Sequence, residues 1–254
     1  MKKQIVSMMM FVICFMFVVT EAMAQGIIIH KKNGEEIILP YSALDSIKTY
    51  TATENNEEIN GFECVDLGLS VRWATCNVGA YSPEEYGGYY AWGETEEKSD
   101  YSLSTYKWKT TNTNMWRMKK YSTYSDDSDF KTTLDPEDDV AHVKWGGSWR
   151  MPTKDEIMEL VDKCTWESTK HNNVNGCLVT GPNGNSIFLP ATGFCNGEDP
   201  ISMRGVSLDY WSATLEVNKY NDLWAYRISF FFDSNPSYSS FARDGGLSVR
   251  PVTE

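Results

Sequence analysis

The run Trp145-Gly146-Gly147-Ser148-Trp149-Arg150-Met151-Pro152-Thr153-Lys154-Asp155-Glu156 constrains this chain more than any other stretch, because it joins an aromatic, glycine-rich turn to a defined helix start. Thr153 and Glu156 stand at capping-box spacing. The Thr hydroxyl can accept from the backbone N–H of Glu156 while the Glu carboxylate reaches back to the N–H of Thr153. Beyond the cap, Ile157, Leu160, Val161 and Cys164 fall at i, i+3, i+4 and i+7, one apolar stripe, and Lys154, Asp155, Glu159 and Asp162 lie on the side that faces water. The spacing predicts a helix from Lys154 onward packed by one face, with structural roles for Trp149, Pro152, Thr153 and Glu156.

The start of the chain has another pattern. Lys2 and Lys3 precede an apolar run over residues 5–19, which ends before Ala22-Met23-Ala24. This reads as a secretory signal peptide over residues 1–24, too short in its apolar part for a membrane span, so no membrane-spanning segment is expected after cleavage. The formal charge is −12, and losing Lys2, Lys3 and Glu21 leaves the mature chain more acidic still. Such a surface argues against nucleic acid and anionic membranes as partners and leaves neutral glycans, proteins and cations. Cys64, Cys76, Cys164, Cys177 and Cys195 remain after cleavage. Export permits disulfides, but an odd number leaves at least one thiol over, and spacing alone does not give connectivity. No cysteine pair has zinc-finger spacing, and His30, His142 and His171 are far apart in sequence.

Residues 25–50 read as a β-hairpin module. Asn33-Gly34 between isoleucine-rich runs predicts a two-residue turn that sets Lys32 against Glu35, Lys31 against Glu36 and Ile29 against Ile38. Residues 44–50 offer a third strand, residues 51–61 a polar linker, and residues 62–254 the main domain. Within that domain, Val65, Leu67, Leu69, Val71 and Trp73 alternate with polar positions, which predicts one half-buried strand. Asp135-Pro136-Glu137-Asp138-Asp139 supplies an N-cap at Asp135, a proline at N1 and first-turn acids for a short helix to about Val143. Residues 177–180 and 185–189 flank Gly181-Pro182-Asn183-Gly184 as a hairpin, and residues 210–214 form a further strand candidate. Trp224, Tyr226, Ile228, Phe230 and Phe232 alternate with a second, partly apolar set, as in a central strand. Strand, two helices, then several strands is an α+β order.

The Trp145–Glu156 run resembles the signature of the Fibrobacter succinogenes major paralogous domain family, which is rich in secreted Bacteroidetes proteins. Cys76-Asn77-Val78-Gly79-Ala80, residues 86–95 and Leu247-Ser248-Val249-Arg250-Pro251-Val252 also match that family in order, so the resemblance covers about residues 64–252. It implies a C-type-lectin-like domain with two short helices and a twisted antiparallel sheet. Such a fold pairs its terminal strands, here residues 65–73 and 247–252, and packs the helix ending at Cys164 near Cys76, which makes these two the expected disulfide. Arg150-Met151-Pro152-Thr153 is also similar to a segment of the formylglycine-generating enzyme fold, but the cysteines that act in that enzyme have no counterpart here.

No nucleophile elbow, zincin helix, P-loop or dinucleotide fingerprint occurs, and no spacing singles out a carboxylate pair for glycoside hydrolysis, the enzymatic alternative. The expectation is a non-catalytic binding module, secreted, periplasmic or on the outer cell surface. Its expected partner is a polysaccharide or a surface protein, and it needs no cofactor. The different-class alternative is a structural or adhesive component of an extracellular assembly. Two candidate sites emerge. Tyr106, Trp108, Trp116 and Tyr121 lie in an aromatic segment with interleaved lysines that could stack on sugar faces. Glu198, Asp199, Asn221 and Asp222 partly match the calcium-binding residues of sugar-binding C-type lectins, although Tyr220 stands where those lectins carry Trp. Asp126, Asp127 and Asp129 open like a calcium loop, but Lys131 and Thr132 break the pattern.

Overall fold

The computed structural model describes residues 26–30, 36–40, 56–110, 117–123, 128–198, 201–217, 219–231 and 235–254. The chain divides into two units, Met1–Thr51 and Ala52–Glu254. Residues 1–24, expected to be a signal peptide, and residues 44–50, expected to be a third strand, lie outside the described residues.

In the first unit β1 (Gly26–His30) pairs antiparallel with β2 (Glu36–Pro40). Its register corrects the sequence reading, because Ile29 faces Ile37 and His30 faces Glu36. An odd number of residues between paired positions excludes a two-residue turn.

The second unit is α+β, built from antiparallel sheets and two short helices. Asn56–Ile59 (β3), part of the expected linker, forms an edge strand against β4 (Phe62–Asp66). The single strand expected over residues 65–73 is instead two, β4 and β5 (Arg72–Ala74), which pair with Val65 opposite Trp73. The chain reverses at Gly68, which has φ 74° and an N–H held by Asp66 Oδ1 at 2.6 Å. Leu67 and Val71 in the reversal are themselves buried, so their alternation mimics a continuous strand. β14 (Val252–Thr253) pairs with β5, Val252 opposite Trp73, so strands near the two ends of the unit are neighbours, giving the sheet order β14-β5-β4-β3. β13 (Gly246–Leu247) pairs with β6 (Tyr90–Ala91).

A 3-10 turn at Pro136–Asp138 leads into α1 (Val140–Trp145). Asp139 caps this helix, not Asp135: its Oδ1 accepts from Ala141 N at 2.9 Å and His142 N at 3.1 Å, and its Oδ2 from Met151 N at 2.8 Å. The Asp135 carboxylate is drawn away to Lys120 and Lys131. α2 (Lys154–Lys163) carries the capping box, with Glu156 N donating to Thr153 Oγ1 at 3.3 Å and Thr153 N to Glu156 Oε2 at 2.7 Å. Arg150 grips the same carboxylate at 2.6 and 2.8 Å, tying the turn to the helix. Trp149 is fully buried, its indole N–H donating to Ile59 O at 2.8 Å, and the Pro152 carbonyl accepts from Ala213 N at 2.7 Å.

After α2, β7 (Thr165–His171), β8 (Val174–Thr180) and β9 (Ser186–Pro190) form a meander. β10 (Ser207–Leu215), β11 (Trp224–Phe231) and β12 (Ser237–Ala242) form a second three-stranded sheet, with β11 in the middle. This sheet stands between two cores. Trp211, Ala213 and Ala225 join Trp92, Trp145 and Trp149 on one face. Leu208, Tyr210, Ile228 and Phe230 join Ile157, Leu160 and Trp73 on the other. Burial on both faces explains why apolar residues occupy both alternating sets of β11.

Candidate functional site

The aromatic segment chosen from sequence folds inward. Tyr106 and Tyr121 are buried, which corrects their reading as stacking surfaces: the Tyr106 hydroxyl donates to Trp92 O at 2.6 Å, and the Tyr121 hydroxyl to Asp138 Oδ2 at 2.7 Å. Trp108 is half-buried, its indole N–H bonded to Gly93 O at 3.0 Å and its ring edge-on to Tyr121 at 5.9 Å. Trp116 lies outside the described residues. What gathers this segment is Arg243, which is fully buried. Its guanidinium donates to the Tyr106 hydroxyl and to the carbonyls of Tyr121, Asp222 and Lys120 at 2.8–3.1 Å, and it lies 4.7 Å from the Trp92 ring centre. A planar fork with five N–H donors suits four convergent acceptors.

Beside it, Asp135, Glu137 and Asp138 place carboxylate oxygens within 4.8 Å of one another. The Lys120 ammonium is their cation, at 2.6 Å from Asp135 and Asp138 and 3.4 Å from Glu137, while Lys107 reaches Asp138 at 2.9 Å. Burial works against charge on Lys120, yet its bonds to Asp135 and Asp138 raise its pKa well above the ordinary lysine value. Burial would likewise raise Asp138, but Lys120, Tyr121 and Lys107 hold it below the usual carboxylate range. Three acids sharing the ammonium groups of Lys120, Lys107 and Lys131 are an ion network, with the place of a metal ion already filled.

The calcium expectation is corrected in the same way. Asp222 is fully buried, its Oδ2 accepting from Ser122 Oγ at 2.5 Å and its Oδ1 from Thr123 N at 2.9 Å. Asn221 Oδ1 accepts from Leu223 N at 3.1 Å, an Asx turn. Glu198 is exposed, and Asp199 lies outside the described residues. The two oxygens best placed by sequence are thus used to fasten one loop to another.

Cys76 and Cys164, the expected bridge, are both free thiols, as are Cys64, Cys177 and Cys195. They belong to different neighbourhoods: Cys76 lies beside Thr75 and the buried Arg250, whereas Cys164 closes α2 and packs on the core that holds Ile157 and Leu160. Burial pushes all five thiols up, Cys164 and Cys195 to about 11 and Cys177 to about 12, so thiolate is scarce at neutral pH. The remaining buried charges are also spoken for. Asp209 meets Arg227 at 2.5 Å and Ser207 Oγ at 2.6 Å, and Arg250 bonds Asn77 Oδ1 and the carbonyls of Ala74, Thr75 and Phe188.

Aromatic surface is instead displayed on the sheet of β10, β11 and β12. Along β11, Trp224 and Tyr226 point to the same face as Ile228. Ile228 is covered by the core around α2, but Trp224 is 37% exposed and Tyr226 half-buried. On β12, Tyr238 shares this face and is 41% exposed. Lys154, the first residue of α2, lies over these rings, its ammonium 4.4 Å from the Tyr226 centre and 5.9 Å from that of Tyr238. Sequence reasoning assigned Trp224 and Tyr226 to a strand face and Lys154 to solvent, and passed over Tyr238. The signal that was available is the run Ser237-Tyr238-Ser239-Ser240-Phe241-Ala242, whose two aromatics stand three apart, so that a strand which buries Phe241 on one face turns Tyr238 to the other. Compared with known proteins, the chain matches no family model, no curated protein and no solved structure.

Proposed function

We propose that this chain is an exported, non-catalytic binding module of C-type-lectin-like fold, related to the Fibrobacter succinogenes major paralogous domain family, that takes a glycan at the outer cell surface or beyond it. The observation that carries this reading is the row of exposed Trp224 and Tyr238 with half-buried Tyr226 on one sheet face. Flat rings held by a sheet lose little freedom on binding, and exposed aromatics grouped on one face mark an interaction surface more than scattered ones do. The neighbouring strands β5 and β14 and the two short helices support the lectin-like fold. Among the described residues the buried acids Asp138, Asp139, Asp209 and Asp222 each bond a cation, a hydroxyl or backbone N–H groups, and the raised thiols offer no ready nucleophile, which supports a binding role over an enzymatic one.

A glycan array probed with the mature protein tests the reading: retention of one or more glycans is expected, and none retained, at protein concentrations that detect weak lectins, would reject it. A second reading, a structural part of a surface assembly, is favoured by the first unit, where β1 and β2 form a two-stranded sheet by themselves. Such hairpins are marginal in water and gain by adding to another sheet. Native mass measurements would support it by finding a defined oligomer that is lost when residues 25–50 are removed.

A further inference from the structure

We infer that the face formed by Trp224, Tyr226 and Tyr238 takes a neutral polysaccharide chain, with the Lys154 ammonium donating hydrogen bonds to its hydroxyl groups. The inference rests on the glycan-binding reading and specifies its site and ligand class.

The face is built in three parts. Trp224 and Tyr226, two residues apart on β11, stand about 7 Å apart along the strand. Opposite them in register, β12 carries Ala242 and Ser240, so small side chains leave the rings uncovered on that side. Tyr238 lies opposite Ile228, diagonal to Tyr226, and extends the aromatic surface toward the outer edge of β12. Rings on one sheet face, spread over two neighbouring strands, offer contacts to the C–H faces of successive sugar units in an extended chain.

Lys154 gives this face its polarity. Its backbone is held by the cap of α2 and by Thr214 Oγ1, which accepts from Lys154 N at 3.0 Å. Lys98, Lys107, Lys120, Lys131, Lys144 and Lys163 each reach a carboxylate. The Lys154 ammonium has no carboxylate within 4.0 Å among the described residues, and its contacts are the two tyrosine rings. It also stands at the wrong pole of its helix, where the macrodipole disfavours a cation. A fixed ammonium beside exposed rings presents N–H donors to whatever lies on them.

Charge selects the ligand class. A chain of formal charge −12 repels polyanions at long range, and one ammonium does not reverse that field. Hydroxyl oxygens of a neutral glycan are acceptors for which no such repulsion arises. Stacking on rings combined with a single cationic donor therefore fits a neutral hexose or pentose polymer better than one bearing uronate or sulfate.

Calorimetric titration with cellohexaose, mannohexaose and xylohexaose, and with hexagalacturonate as the acidic probe, tests this at low and high salt. At least one neutral hexamer should bind with little salt dependence. Trp224→Ala and Tyr238→Ala should each weaken it about tenfold, by analogy with the loss of a base stacked on an aromatic ring. Lys154→Gln should weaken it less, and Lys154→Arg should retain it. Unchanged thermal midpoints would establish that the variants are folded, as expected for partly exposed side chains. Preferential, salt-sensitive binding of hexagalacturonate would overturn the neutral-ligand inference and leave glycan binding standing. Neutral binding unaffected by all of these variants would overturn the site, and no binding to any of these hexamers or on the array would overturn both the inference and the reading beneath it.

Discussion

Glu156 serves two partners with one carboxylate, the N–H of Thr153 and the guanidinium of Arg150. Burial alone would raise its pKa, but these bonds hold it below the ordinary glutamate range. Stability from such a depressed carboxylate is fully present above the unfolded value of about 4.3 and is lost as the pH falls through the folded value beneath it. Glu156→Gln should therefore cost stability at neutral pH, and its deficit relative to the wild type should shrink as the solution is acidified, as urea denaturation at a series of pH values would show. Thr153→Ala removes only the hydroxyl acceptor and should cost about 1 kcal/mol, read as a lower denaturation midpoint. Both residues were legible in sequence because a capping box is a local device of four positions. Arg243 was not. Its acceptors sit at positions 106, 120, 121 and 222, and no spacing rule connects residues so far apart. The same remoteness hid the fate of Tyr106 and Tyr121, whose exposure depended on whether something later in the chain would call them inward.

At the scale of elements, strands were legible where apolar residues announced them, as in β10 and β11 with a core on each face, and missed where the core lay on neither side. β7 shows this failure. Thr165–His171 is mostly exposed and carries Glu167, Ser168, Thr169 and Lys170, so no hydrophobic period announces it. Its existence rests on pairing with β8 through the turn at Asn172 and Asn173, which have φ 47° and 66°. Two successive left-handed residues make the tight turn that matches strand twist, and asparagine tolerates this conformation better than residues with a branched Cβ. Asn173→Val should destabilise the unit by about 1–2 kcal/mol, whereas Asn173→Gly should be neutral or slightly stabilising. Paired thermal melts would separate these outcomes, and equal loss in both variants would mean that the asparagine side chain, not its backbone, secures the turn. The reversal at Gly68 is the converse case, a strong turn signal hidden inside a strong strand pattern.

Across the whole second unit, the C-terminal segment is a structural hub. Val252 is fully buried, pairs with Trp73 in β5, and exchanges backbone hydrogen bonds with Arg150 at 2.9 and 3.1 Å. Arg250 joins Asn77 to Phe188, and Arg243 gathers the aromatic segment. Removing residues 251–254 should therefore abolish cooperative unfolding of this unit, seen as loss of the near-ultraviolet circular dichroism of its buried tryptophans. Retention of a sharp transition would show that β14 is dispensable. The α+β class was legible because it follows from the order of strong local patterns, while the division into several small sheets was not, since it depends on which strands meet after long excursions.

The position of that hub has a consequence for the order of events in synthesis. Within this unit a ribosome makes Arg243, Arg250 and Val252 after all the other strands, so until they emerge the earlier strands have neither their closing neighbour nor the guanidinium groups that satisfy their carbonyls. The unit is thus kept from completing its core until those residues have been made.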